Sequence, residues 1–168
     1  EDLAFPYVFP EEHAWLKANV KSAFEERTKY VERITPIVKK VLIGEKIHIL
    51  SIDARSKHQY SLYRKLLKYD MDIAKISDLV ALRIIVPTVG DCYQALGMIH
   101  ANWKPVPNRI KDYIALPKLN GYQSLHTTVF GPEGAMVEIQ IRTKEMHESA
   151  EHGIAAHWSY SEGKDTKN

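Results

Sequence analysis

Residues 109–128 read RIKDYIALPKLNGYQSLHTT. This short stretch sets Arg109, Lys111, Lys118 and, when protonated, His126 beside Tyr113 and Tyr122. Cationic side chains neutralise phosphate, and a tyrosine face gives a nucleobase something to stack on. Asn120-Gly121 favours positive φ and a tight turn. Beyond the turn the residues read as a strand. Alternate residues of a strand share a face, so Tyr122, Ser124 and His126 point one way and Gln123, Leu125 and Thr127 the other. A plain surface loop feeding an edge strand has the same composition, so these residues alone leave both readings open.

Downstream, Phe130-Gly131-Pro132-Glu133-Gly134 is a turn signal before a second strand, Met136–Arg142. A two-residue Pro-Glu loop is disfavoured, because the favoured hairpin turns need positive φ that proline cannot adopt. An odd loop of three or five residues keeps the polar sets of both strands on one face. Glu138, Gln140 and Arg142 then share a face with His126 and Ser124, and Val137, Ile139 and Ile141 face a core. The strand pair is thus expected to gather Tyr122, His126 and Glu138. The competing reading of Glu138 is an exposed strand carboxylate.

Upstream, Ile47–Ala54 reads as a strand leading to Arg55, with Ser56 and Gln59 as a capping box for the next helix. Helical spacing sets Lys57, Ser61, Arg64, Lys65 and Lys68 on one side and Tyr60, Leu62, Tyr63, Leu66 and Leu67 on the other. Residues 55–68 contain no carboxylate. A cationic stripe at a helix N-terminus suits a triphosphate, although a solvated lysine face has the same pattern. Asp78 precedes a buried strand, Ala81–Val86, closed by Pro87. A carboxylate there can hold Mg²⁺ with substrate phosphates, or merely cap a turn. Asp70 and Asp72 are a rival pair whose position suits the end of a helix. Thr88 and Asp91 cap a further helix, with Tyr93, Leu96, Ile99, His100 and Trp103 expected in the core, before Pro105 and Pro107.

The N-terminal third reads as helix from about 10 to 43. Pro10, Glu11 and Glu12 make its first turn, and Leu16, Val20, Ala23, Phe24, Val31 and Ile34 its apolar stripe. Pro36 is expected to interrupt it, with Thr35 capping a second short helix that ends at Gly44. A last helix is expected over Thr143–His157, with Met146, Ala150, Ile154 and His157 inward. His147 and His152 stand at i and i+5, which is the wrong spacing for a zinc-protease helix. Gly163-Lys164 lacks the glycine frame of a Walker A loop and lies in a polar tail, 161–168, expected to be disordered.

The 168 residues suit one domain, 1–160, with a sizeable core. A net charge of only +2 argues against a general nucleic-acid binder, with DNA excluded as a partner, while leaving room for local basic patches. The single Cys92 rules out an internal disulfide. No apolar run is long enough for a membrane helix, and a cytoplasmic location is the default expectation. The chain starts at Glu1 rather than Met and is expected to be a piece of a longer protein.

KDYIALPKLNGYQSLHTTV, VEIQIRT and AEHGIAAHW together resemble the synthetase domain of the RelA/SpoT homologue family, which makes the alarmones (p)ppGpp. The likeness runs from about Ile52 to Trp158. Arg109-Ile110-Lys111-Asp112 is similar to the R-x-K-D signature of the family's bifunctional members. The resemblance implies an α/β (α+β type) fold: a mixed twisted sheet flanked by helices, like a nucleotidyltransferase palm. It implies ATP at Arg55, Lys57, Ser61 and Lys65, with Arg55 against the adenine. It implies Mg²⁺ at Asp78 and Glu138, with Glu138 catalytic. Acceptor GDP or GTP would meet Tyr122, Asn120, His126, Lys118, Arg109 and Lys111; the roles of Gln140 and Arg142 stay open. In a longer parent it implies a hydrolase domain, C-terminal regulatory domains and the ribosome as partners. No His-Asp dipeptide occurs, so hydrolysis is not expected of this stretch. A silent nucleotide-binding regulatory module and an RNA-binding domain are the alternatives.

Overall fold

Pro10 to Gly44 form one 35-residue helix, α2, preceded by a single turn, α1 (Phe5–Val8). Proline at the first position and Glu11 and Glu12 at the positive end of the dipole start α2 well. Leu16, Val20, Val31, Ile34, Val38 and Leu42 bury one stripe. The break expected at Pro36 does not occur, and Thr35 is no cap: α2 continues through both. Pro36 withholds a donor from the Glu32 carbonyl, but both residues are exposed, so water can take that bond. Thr35 Oγ1 donates to the Val31 carbonyl at 2.7 Å. Burial of Ile34 and Val38 on either side outweighs a proline cost of about 3 kcal/mol.

The computed structural model describes residues 3–57, 59–73, 76 and 78–162, without the side chains of 59 and 154–162. Five strands form a mixed sheet: β1 (Ser51–Ser56), β2 (Val80–Val86), β3 (Lys111–Asp112), β4 (Leu125–Phe130) and β5 (Met136–Thr143), in the order β1-β2-β5-β4-β3. β2 and β5 run parallel, and the other neighbours are antiparallel. Three further helices are α3 (Gln59–Lys68), α4 (Val89–Asn102) and α5 (Lys144–Glu162).

One sheet face carries Leu82, Ile84, Val86, Leu125, Val129, Val137, Ile139 and Ile141, packed against α2 and against Cys92, Ala95 and Ile99 of α4. A second cluster joins Leu16 and Val20 of α2 to Leu62 and Leu66 of α3 and to Ile76 and Leu79. The opposite sheet face is therefore left for polar work, with α3 and α5 at its borders.

Several local expectations change. β1 begins at Ser51, because Ile47 N donates back to Leu42 O and closes α2 instead. Ser56 pairs with Val80 in the sheet, so it does not cap α3; the Gln59 half of that box lies outside the described side chains. Leu67 is 56% exposed. Tyr93 is also exposed, since the inward stripe of α4 is Cys92, Ala95 and Ile99. Ser61 falls in the first turn of α3, half-buried. The capping box of Thr88 and Asp91 forms as expected. So does the five-residue hairpin loop 131–135, with Phe130 paired to Met136 and positive φ at Glu133 and Gly134. α5 runs to Glu162, so Ser161 and Glu162 are helical; 163–168, and the inward positions Ile154 and His157, lie outside the described residues and side chains.

The hairpin is tied to α2 by Tyr30, whose Oη donates to the Pro132 carbonyl at 2.7 Å. A Cβ on Gly131 would stand 2.9 Å from that Oη and 3.0 Å from Val137 Cγ1. Gly131→Ala should therefore cost about 1–3 kcal/mol. For a chain of this size the melting temperature should drop by roughly 2–4 °C per kcal/mol. Adding Tyr30→Phe should recover part of the loss. An unchanged melt in the single variant would contradict the close packing.

Candidate active site

Strand alternation turns Glu138, Gln140 and Arg142 of β5 away from the core. The register extends this row sideways: Gln140 lies between Arg83 of β2 and His126 of β4, Arg83 pairs with Asp53 of β1, and His126 with Lys111 of β3. Partners directly across a ladder share a face, so these five residues form a polar band across the sheet.

Within it, Arg142 Nη2 donates to Gln140 Oε1 at 3.4 Å, and Gln140 Nε2 donates to Glu138 Oε1 at 3.0 Å. Gln140 and Arg142 are only 4% and 3% exposed. Burial pushes the Glu138 carboxyl above the usual carboxylate range; the Gln140 bond opposes this, and the negative charge of Asp78 adds to it. Glu138 and Asp78 thus feel one another's charge across the face.

Asp78 sits just ahead of β2. Its Oδ2 is 3.1 Å from Lys57 Nζ and its Oδ1 2.6 Å from Lys65 Nζ. Burial alone would raise this carboxyl, but the Lys65 hydrogen bond and the Lys57 charge outweigh it and hold it below the usual range. The expected cationic stripe therefore divides: Lys57 and Lys65 turn inward to Asp78, whereas Arg64 and Lys68 are exposed.

On the other side, His126 Nε2 lies 2.8 Å from Tyr122 Oη and Nδ1 lies 3.8 Å from Glu138 Oε1. The carboxylate facing Nδ1 assigns the ring proton there, leaving Nε2 to accept from Tyr122. Burial, then the charges of Lys118, Arg142 and Arg55, lower the His126 pKa to about 4. His126 is consequently neutral near pH 7 and is not one of the cations of its segment. Tyr122, His126 and Glu138 are brought together as the strand pattern predicts.

Tyr122 sits in a ring cluster. Tyr113 meets Tyr122 and His126 edge-on, at 6.2 and 5.4 Å between centroids. Lys118 Nζ lies over both tyrosine rings, at 4.7 Å from Tyr113 and 5.3 Å from Tyr122. Arg142 Cζ is 5.8 Å from the Tyr122 centroid. Asn120 Oδ1 accepts from Tyr122 N at 3.1 Å beside Gly121 at φ 84°, so this side chain shapes the turn that presents Tyr122. Lys111 is exposed on β3, and Arg109 is exposed ahead of it.

Arg83 was read from the sequence only as part of a buried strand, with no place in the site. The signal was present, since it is the one charge in VALRIIV. Burial, then the charges of Arg142 and Arg55, lower its pKa, so three guanidinium groups crowd one region. The Nε atoms of Arg83 and Arg142 are buried with no partner among the described residues. Crowded cations with unused donors suit an anionic or electron-rich planar ligand.

Among the described residues no three His, Cys, Asp or Glu side chains cluster as a metal cage, and no helix is long and apolar enough to cross a membrane. Residues 54–165 match the family described as a region found in RelA / SpoT proteins. This chain belongs to the RelA/SpoT family. It is 50% identical over 164 residues to a GTP pyrophosphokinase of Myxococcus xanthus, covering 98% of this chain and 22% of that protein. It is 42% identical over 164 residues to the bifunctional (p)ppGpp synthase/hydrolase RelA of Mycobacterium tuberculosis, with 98% and 22% covered. The RelA/SpoT chain thus spans about a fifth of the length of these relatives. In solved structures it is similar to small alarmone synthetase 1 from Bacillus subtilis, with a TM-score of 0.63 and 28% identity over 79% of this chain and 75% of that one. The expected fold, a mixed sheet with flanking helices of the nucleotidyltransferase type, is the fold of this RelA/SpoT chain.

The His126 geometry makes a pH prediction. With a folded pKa near 4 and an unfolded value near 6.5, this ring favours folding fully above pH 6.5, and that contribution is lost as pH falls toward 4. An imidazole NMR titration should give a His126 midpoint near 4. A midpoint at the ordinary value would contradict the buried, neutral ring.

Proposed function

We propose that this chain is a (p)ppGpp synthetase domain, moving the β,γ-pyrophosphate of ATP to the ribose 3′-OH of GDP or GTP. The observation that carries the reading is the meeting of two unlike halves at Glu138. One half is Asp78 held between Lys57 and Lys65; the other is the Tyr122–His126 pair. The names of the relatives, pyrophosphokinases and alarmone synthetases, support it.

In this reading Lys57, Lys65 and Ser61 bind the ATP phosphates, and Arg55 lies against the adenine, with Arg83 beside it. Tyr122 stacks on guanine, within a turn shaped by Asn120. Lys118, with Arg109 and Lys111 nearby, meets the acceptor phosphates. The 3′-oxygen forms a bond to the β-phosphorus as the bond from that phosphorus to the α,β-bridging oxygen breaks, and AMP leaves with that oxygen. Glu138 takes the 3′-OH proton. Its raised pKa suits this task, because a stronger base accepts a proton more readily. Gln140 holds the carboxylate in place, and neutral His126 faces it without competing as a charge. Positioning and charge neutralisation supply most of the catalysis in phosphoryl transfer.

Two mutually repelling carboxylates, Asp78 and Glu138, fit a divalent cation with hard oxygen ligands, Mg²⁺ in our proposal. When bound, such an ion neutralises charge developing on the phosphates. Lys57 and Lys65, partners of Asp78, would then be free to turn to phosphate oxygens. In a longer parent the proposal includes a hydrolase domain, as the bifunctional relative's name suggests, C-terminal regulatory domains and the ribosome as partner.

Incubation with [β-³²P]ATP, GDP and Mg²⁺ should transfer label to the guanosine 3′ position and release AMP in equal amount. Glu138→Gln should lower the rate by at least about two orders of magnitude with little change in GDP binding. Near-normal turnover would remove Glu138 as the base. Nucleotide binding by the wild type without product would leave a silent regulatory module, and steeply salt-dependent RNA binding would favour an RNA-binding domain.

A further inference from the structure

The two residues of β3 face opposite ways. Lys111 pairs with His126 and so faces the site, whereas Asp112 pairs with Leu125, a core residue on the α4 side. The carboxylate of Asp112 takes three hydrogen bonds there. Its Oδ2 accepts from Tyr93 Oη at 2.8 Å, and its Oδ1 accepts from Ile114 N at 3.0 Å and Ala115 N at 2.9 Å. Tyr93 therefore has a use for its exposed position on α4: it reaches the sheet edge instead of packing in the core.

The turn that Asp112 pins is the start of the segment leading to Tyr122. Tyr113 comes first, its ring edge-on to Tyr122 and His126, and Lys118 follows, over both tyrosine rings. Tyr113 N donates to Ser124 O at 3.0 Å and Lys118 N to Tyr122 O at 3.1 Å, so both ends of the loop are tied together. Its outer side buries little, since Leu116 and Leu119 project outward. Hydrogen bonds at the base, together with partial packing of Ile114, thus hold its course. An Asp that accepts two backbone N–H groups is a strong local organiser of a turn.

We propose that Asp112 and Tyr93 are positioning residues for the acceptor nucleotide, clamping to α4 the root of the loop that carries Lys118 and leads into Tyr122. They act through the loop and touch no substrate. This inference rests on the acceptor assignment made above. It also divides the R-I-K-D signature: Lys111 faces the nucleotide side and Asp112 faces the scaffold.

Steady-state kinetics on the whole chain test it, varying GDP and ATP separately and melting each variant. Asp112→Ala loses every acceptor bond and should raise the KM for GDP roughly tenfold, with the KM for ATP within about twofold. Asp112→Asn keeps a side-chain oxygen for Ile114 N and Ala115 N and should restore most of the loss. Tyr93→Phe removes one tether and should raise the KM for GDP about threefold. Equal changes in both KM values, an unchanged KM for GDP, or an Asp112→Asn protein as impaired as Asp112→Ala would overturn the clamp. If Asp112→Ala fails to fold, Tyr93→Phe decides: faster amide exchange at Ile114 and Ala115 with the higher KM for GDP supports the clamp, and unchanged values overturn it. A wild-type chain that makes no product would overturn the functional reading itself; a productive wild type with an unaffected Asp112→Ala overturns only the clamp.

Discussion

Strand β5 has to bury both faces at once. Val137, Ile139 and Ile141 do so by packing under α2 and α4. Gln140 and Arg142, on the other face, are just as inaccessible. Buried polar groups are tolerated when hydrogen-bonded, and an unpartnered one costs about 1–3 kcal/mol. The chain from Arg142 through Gln140 to Glu138 meets part of that demand. The unpartnered Nε atoms of Arg83 and Arg142 are what remains. The sheet is thus built around a polar band that keeps two buried guanidinium donors unpartnered among the described residues. Everything else on that face is arranged relative to it.

The two sides of the band have different electrostatics. Beside α3, Asp78 pairs with both Lys57 and Lys65, which holds the two cations in place and leaves that side with a positive excess. Beside β4, Lys118 is set over tyrosine rings, and His126 is driven neutral by burial and by the cations around it. Glu138 lies between these regions, its proton affinity raised by burial and by Asp78. A low effective dielectric strengthens every one of these terms. Their balance explains why a single carboxylate here is both buried and basic.

Most of the fold was legible in the residues. The alternation in β4 and β5 and the poor fit of proline to a two-residue turn together pointed to an odd-length hairpin loop and to the shared face of Tyr122, His126 and Glu138. The apolar run of β2, broken only by Arg83, marked a buried strand. Failures occurred where tertiary packing overrode local preference. Pro36 lies within α2 because Ile34 and Val38 are anchored in the core. Tyr93 lies off the inward stripe of α4, which is Cys92, Ala95 and Ile99, and its hydroxyl bonds to Asp112 on another element. In the site, Arg83 was missed because a lone charge in a buried strand has no local partner to announce it; its neighbours, Arg55 and Arg142, come from other strands. The neutrality of His126 was likewise invisible, as it depends on Lys118, Arg142 and Arg55 converging in space.

The central claim is that one sheet face holds separate donor and acceptor halves meeting at Glu138. Calorimetric titration of ATP and of GDP against Lys65→Ala and Tyr122→Ala tests it most directly. Lys65→Ala should weaken ATP and leave GDP nearly intact, and Tyr122→Ala should weaken GDP about tenfold or more with ATP nearly intact, given base stacking worth roughly 1–3 kcal/mol. Parallel losses for both nucleotides in either variant, or a normally melting Tyr122→Ala protein that binds GDP normally, would contradict it.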